Sequence, residues 1–217
     1  TSWVDRAWSI VPVAYVWIFV GVAFAEGDGS ARLVAMGLLT TAWGARLTFN
    51  FARKGGYTGM EDYRWAILRG RMRPWQFQLF NLFFIIAYQM TLLVLITLPA
   101  MVAARHPSAM TGWDVLFIAA FLAFLAGETI ADQQQWVFHQ RKKAAGGALS
   151  PGFATTGLFR YSRHPNFFFE QAQWWAFYAL GASAAVSGGA GLVGGALNPT
   201  IVGAVLLSLL FIGSTIF

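Results

Sequence analysis

The chain has 217 residues, 57% hydrophobic and only 11% charged, with 10 Trp, 20 Phe and a mean hydropathy of +0.55. That composition excludes an ordinary soluble domain and points to an integral membrane protein. The absence of cysteine excludes disulfides, thiolate metal sites and Cys nucleophiles, while the formal net charge of +6 acquires meaning only from where its residues fall.

A helix crossing the hydrocarbon core needs about 20 mostly apolar residues. The sequence predicts six such spans, at 7–25, 33–52, 76–103, 113–131, 166–187 and 198–217. The runs are continuously apolar, unlike the alternation of a membrane β-barrel. No tract reads as a separate soluble domain, so residues 1–217 are expected to form a single all-α, polytopic membrane bundle.

Asp5 and Arg6 enter the first span, and the second carries Arg46, Asn50 and Arg53 on one helical face. A basic connection with Arg53, Lys54, Arg64, Arg69, Arg71 and Arg73 leads to the third. Glu128, Asp132 and Gln135 fall at i, i+4, i+7 near the end of the fourth span, which puts two carboxyls and an amide on one face. Asn166, Glu170 and Gln173 repeat that spacing at the start of the fifth, behind a second basic connection with Arg141, Lys142, Lys143, Arg160 and Arg163. A glycine-rich turn at 188–196 precedes the sixth. Thr1 is not a start methionine and Phe217 closes the chain inside an apolar run, so both ends are expected to be trimmed.

The basic residues set the orientation, because Lys and Arg in short loops stay on the cytoplasmic side. Eleven of fifteen lie in the two basic connections, which are two crossings apart and must share a face. That pattern serves topology alone, or it also supplies donors for a phosphate-bearing ligand. The carboxylate stripes bear on the choice: a charged residue within a bilayer costs about 2.5–3.5 kcal/mol on insertion scales, so Glu170 calls for a partner, a proton or a function. Interhelical hydrogen bonding explains single polar residues. Carboxylates and arginines from four helices at one depth point instead to a cavity open to the cytoplasm. Pro165 presets the first turn of its helix and leaves backbone N–H groups facing the loop, an arrangement that attracts anions. His164 either caps that helix or joins the site.

No metal site is expected, since His106, His139 and His164 are scattered. Gly189-Ala-Gly-Leu-Val-Gly194 matches the dinucleotide-binding glycine pattern, but it follows a membrane helix rather than a strand and is read as a turn. Nucleic acid is a poor candidate partner, because the cations flank spans and form no separate binding domain.

Gly157-Leu-Phe-Arg-Tyr-Ser-Arg-His-Pro-Asn166 with Glu170, and Glu128-x-x-x-Asp132 upstream, resembles the membrane steroid 5-alpha-reductase family, closest to its bacterial branch. Trp3-Val-Asp-Arg-Ala-Trp-Ser-Ile-Val-Pro12 and the region from Trp43-Gly-Ala-Arg-Leu47 to Glu61-Asp-Tyr-Arg64 also fit that branch. The resemblance implies a seven-helix bundle whose first helix is missing here, in a bacterial inner membrane, with NADPH entering from the cytoplasm. A 3-oxo-Δ4 steroid or another enone lipid would enter from the bilayer. It further implies that Asp132, Asn166 and Glu170 hold NADPH, with Glu128, Gln135, Arg141, Arg160, Tyr161, Arg163 and His164 around them. The family's substrate-binding tyrosine is replaced by Trp43, and Asp5 is the nearest acid by a loose alignment. Asp5 in its protonated form, or Arg46, would then donate a hydrogen bond to the substrate carbonyl while hydride reaches the β-carbon. A methyltransferase using S-adenosylmethionine shares the Arg-His-Pro element, and a proton-coupled transporter would also use buried carboxylates. The reductase is favoured by the Asp132, Asn166 and Glu170 set.

Overall fold

The structure, a computed structural model, describes residues 2–58, 63–147 and 149–216. Every regular element among them is helical: α1 (Ser2–Ala7), α2 (Val11–Glu26), α3 (Ala31–Arg53), α4 (Tyr63–Arg71), α5 (Pro74–Phe80), α6 (Gln89–Arg105), α7 (Gly112–Ala144), α8 (Pro165–Ala185), α9 (Leu192–Ala196) and α10 (Ile201–Ile216). A π-helical turn, Asn81–Tyr88, joins α5 to α6, and a 3-10 turn, Gly157–Arg160, lies between α7 and α8.

Local chemistry accounts for several of these boundaries. Ser30 caps α3 by accepting the Leu33 N–H, and Thr111 and Asp114 form a reciprocal capping box at the start of α7. Gly27 ends α2 in the left-handed conformation that glycine adopts without penalty. Pro165 occupies the first turn of α8, where its missing N–H removes no helical bond.

Each of the six predicted spans overlaps a helix, the first after a turn at 8–10 and the last from Ile201. Among the described residues three stretches are long and apolar enough to cross a membrane: Pro74–Arg105, Gly112–Ala144 and Leu192–Thr215. The others fall short for identifiable reasons. Apolar α2 has only 16 residues. The longer α3 and α8 carry the Arg46-Asn50-Arg53 and Asn166-Glu170-Gln173 stripes, which lower their apolar content.

The core joins α2, α3, α6, α7, α8 and α10 through Val16, Leu33, Met36, Trp43, Leu93, Phe121, Phe177 and Leu207. A Cβ added to Gly181 would lie 2.6 Å from the Pro99 carbonyl oxygen, so α8 and α6 are in backbone contact there. Gly44 is equally close to the Ser9 carbonyl, seating α3 on the junction of α1 and α2.

The ends of the bundle differ in charge. Arg53, closing α3, donates to Gln133 Oε1 at 2.7 Å and to the Asp132 carbonyl at 3.1 Å, so both basic connections lie at one end. At the other, the Arg32 guanidinium grips Asp114 with Nε to Oδ1 at 2.9 Å and Nη2 to Oδ2 at 2.8 Å. Arg32 also donates to Ser108 Oγ and the Ala109 carbonyl, and both members of the pair are fully buried.

Candidate functional site

One turn of α3 separates Trp43 from Arg46, which brings an indole and a guanidinium to the same face of the helix. Opposite them, Glu128 and Asp132 lie one turn apart on α7, and Glu170 and Gln173 lie one turn apart on α8. The facing stripes close on Arg46. Its Nη1 is 2.8 Å from Glu128 Oε1 and 2.7 Å from Asp132 Oδ2, and its Nη2 is 3.0 Å from Glu170 Oε2. Three carboxyls therefore share one guanidinium, and ion pairing within the group cannot neutralise all of them.

Neutral donors meet part of the remaining demand. Trp43 Nε1 donates to both Glu170 oxygens at 2.9 and 3.1 Å, and Trp174 Nε1 donates to Oε1 at 3.0 Å. The two indoles meet edge to face with centroids 4.9 Å apart, which fixes the direction of both N–H groups. Gln173 Nε2 donates to Glu128 Oε2 at 2.6 Å. Within this cluster two polar atoms remain buried without a partner among the described residues: Arg46 Nε, a donor, and Gln173 Oε1, an acceptor. Buried groups of this kind are uncommon, because each forfeits its hydration without replacement.

A layer at the basic end covers the cluster. Arg53 Nε donates to Asn50 Oδ1 at 2.9 Å, and its guanidinium lies 5.4 Å from the Phe49 ring centroid and 5.1 Å from that of Trp136. Beneath it a cavity of about 60 Å³ is lined by Arg46, Asn50, Arg53, Asp132 and Gln133. Lys54, at the end of α3, has its ammonium pKa lowered by burial, an effect opposed by the nearby Asp132 carboxylate.

The loop residues occupy different surroundings. Arg141, Arg160, Tyr161, Arg163 and His164 are exposed, while Gln135 and Asn166 are half-buried. The His164 ring stacks on Phe167 at 5.1 Å, and Phe167 packs on Phe211 of α10. The loop is tied to α7 by Gln134, whose Oε1 accepts the Leu158 N–H at 2.9 Å. Asp5 is half-buried on α1, whose neighbour Val4 packs with Ile85, Leu68 and Phe80. The three Arg46 ion pairs bring α3, α7 and α8 together. Glu61 and Asp62 lie outside the described residues.

A cavity of about 470 Å³ forms a groove between α7 and α8 walled by Phe117, Phe124, Phe168 and Trp175, with Ala172 and the amide Gln171 also lining it. Successive helical residues point about 100° apart. Glu170 accordingly faces α3 while Gln171 faces the groove, so the cluster and the groove flank α8 on different sides.

Several contributors escaped sequence reasoning. Trp174 follows Gln173 directly and is lost among the aromatic residues of α8, and Gln134 differs from the expected Gln135 by one position. For Trp174 the usable signal was its i, i+4 spacing from Glu170.

Comparison with known proteins adds a family. A profile described as "Protein of unknown function (DUF1295)" matches residues 1–215. An uncharacterized protein of the fission yeast Schizosaccharomyces pombe is 40% identical over 203 residues, covering 86% of this chain and 59% of that relative. The chain thus spans about three fifths of the relative's length. No solved structure matches significantly.

Proposed function

The chain belongs to the DUF1295 family, and on that premise we propose that it is a membrane-embedded, NADPH-dependent reductase of the C=C bond of an enone lipid, with a 3-oxo-Δ4 steroid as the leading substrate. The observation that carries this reading is the Arg46–Glu128–Asp132–Glu170 cluster, which lies at the basic end of the bundle and retains an unused donor and an unused acceptor. In this reading six helices span the bilayer and the basic end faces the cytoplasm.

The donor and acceptor types fit the cofactor. Asp132, Glu170 and Glu128 offer carboxylate oxygens to ribose hydroxyls and a carboxamide, and exposed Arg141, Arg160 and Arg163 offer forked N–H donors to phosphates. Tyr161, His164, Gln135 and Asn166 complete the proposed contacts. Ligand pockets usually measure about 300–1,000 Å³, so the 60 Å³ cavity admits only a small part of such a molecule. The phosphates belong with the exposed arginines.

When bound, the cofactor supplies hydride to the β-carbon of the enone. The chain's part is to hold charge and exclude water. Negative charge develops on the substrate carbonyl oxygen as the β-carbon is reduced, and a donor aimed there lowers the barrier; losing one such donor in other enzymes costs about 2.7–4 kcal/mol. Arg46 Nε–H is the buried donor left for that role, with Asp5 in its protonated form as the second candidate and Trp43 holding Glu170 beside Arg46.

The test is titration of the full-length purified protein with NADPH and, separately, with S-adenosylmethionine, followed by NADPH oxidation in the presence of progesterone or testosterone. Saturable NADPH binding and steroid-dependent oxidation are expected. Binding of S-adenosylmethionine in place of NADPH would establish a methyltransferase instead. Binding of neither, together with proton flux in proteoliposomes, would make the carboxylates a transport path.

A further inference from the structure

The elbow between α4 and α5 plays no part in the proposed reaction, yet it carries a dense, one-signed set of charges. Arg69 and Arg71 lie in the last turn of α4, and Arg73 precedes Pro74 at the start of α5. No acidic residue occurs between 63 and 113. Packing sets which way the elbow faces: Leu68 and Phe80 turn inward onto Val4 and Ile85, while Arg69, Arg71 and Arg73 are exposed. Arg69 is steadied over the Phe77 ring, 5.6 Å from its centroid.

Directly beyond the arginines the exposed surface becomes apolar. Trp75 is 59% exposed, followed by exposed Leu79, Leu82 and Phe83. These residues run along Pro74–Arg105, a stretch long and apolar enough to cross a membrane. Exposed tryptophan at the end of a membrane helix is the usual composition of the membrane–water interface. A ligand that met the whole surface would need an anionic group beside the arginines and hydrocarbon beside Trp75, Leu79 and Phe83.

We propose that the Arg69–Arg71–Arg73 elbow with Trp75 is a binding surface for the headgroup of an anionic phospholipid. Charge complementarity selects the headgroup, and the adjoining apolar face selects a lipid over a soluble phosphate. The site is separate from the Arg141, Arg160 and Arg163 loop, so it stands or falls independently of the cofactor reading.

The experiment uses the full chain in neutral detergent at 0.15 M salt, with its melting temperature followed against added phosphatidylglycerol, phosphatidylcholine or glycerol phosphate. Phosphatidylglycerol is expected to raise the melting temperature saturably, with little response to the other two. Each arginine near an anionic surface contributes roughly fivefold in affinity, so Arg71→Gln with Arg73→Gln should weaken phosphatidylglycerol binding about thirtyfold. Both side chains are exposed, so the variant's lipid-free melting should match wild type. Arg105→Gln, which removes an exposed cation from the opposite end, should change nothing. Equal responses to the two lipids, an equal response to glycerol phosphate, or an equal loss in Arg105→Gln would overturn the proposal.

Discussion

Two buried arginines stand at opposite ends of this bundle, and they are served very differently. Arg32 meets one carboxylate in a two-pronged pair, and Ser108 and the Ala109 carbonyl take its other hydrogen bonds. Asp114 is further satisfied by the Thr111 backbone N–H at 2.6 Å and the Thr111 hydroxyl at 3.0 Å. Arg46 instead faces three carboxyls at once and keeps an unpartnered Nε. A matched, saturated pair leaves nothing for a ligand to bind. A mismatched group with unspent hydrogen bonds has something to gain from one. The contrast makes the Arg46 end the candidate site and the Arg32 end a structural clamp.

Substitution can break that contrast at either end. The largest loss of stability is expected from Arg32→Met, which strands Asp114 in the interior; removing one member of a buried pair typically costs about 3–5 kcal/mol. Thermal unfolding in detergent would show it, and Arg32→Met combined with Asp114→Leu should recover most of the loss. If the single variant melts like wild type, Arg32 is no clamp. Glu170→Ala and Asp132→Ala should fold, since Arg46 keeps two carboxyl partners in each, while NADPH affinity falls at least about tenfold, the equivalent of 1.4 kcal/mol. Glu170→Ala also orphans the Trp43 and Trp174 N–H groups, at about 1–3 kcal/mol for each buried donor left unsatisfied. Unchanged NADPH titrations in both variants would remove the cluster from the cofactor site.

Smaller effects sharpen the picture at the loop. Gln134→Ala deletes the acceptor for Leu158 N–H and should cost about 1 kcal/mol, read as faster amide exchange across 157–160 with little change elsewhere. Arg160→Gln, at an exposed site, should alter stability by no more than about 0.5 kcal/mol. Its effect on NADPH affinity should shrink as ionic strength rises, because exposed charges are screened. A salt-independent loss would mean that Arg160 acts through packing instead.

The helical period made much of this legible. Spacing of i, i+4, i+7 aligned Glu128 with Asp132 and Glu170 with Gln173, and these four side chains meet in the Arg46 cluster. The same reasoning put Arg46, Asn50 and Arg53 on one face, which the Arg53–Asn50 bond reflects. Periodicity within a helix does not reveal the rotation of one helix against another. For that reason Arg46 looked free to serve a substrate carbonyl, although most of its guanidinium is committed to three carboxyls. The Arg32–Asp114 pair, 82 positions apart, was equally hidden, because each residue sits singly near a helix end where an interfacial charge needs no partner.

One helix extends beyond what a membrane requires. At 33 residues, α7 is about 50 Å long, against a hydrocarbon core of about 30 Å. Glu128 and Asp132 sit on the same helix as Gln134, which grips the loop through the Leu158 N–H, so the buried carboxyls and the exposed loop hang from one continuous element.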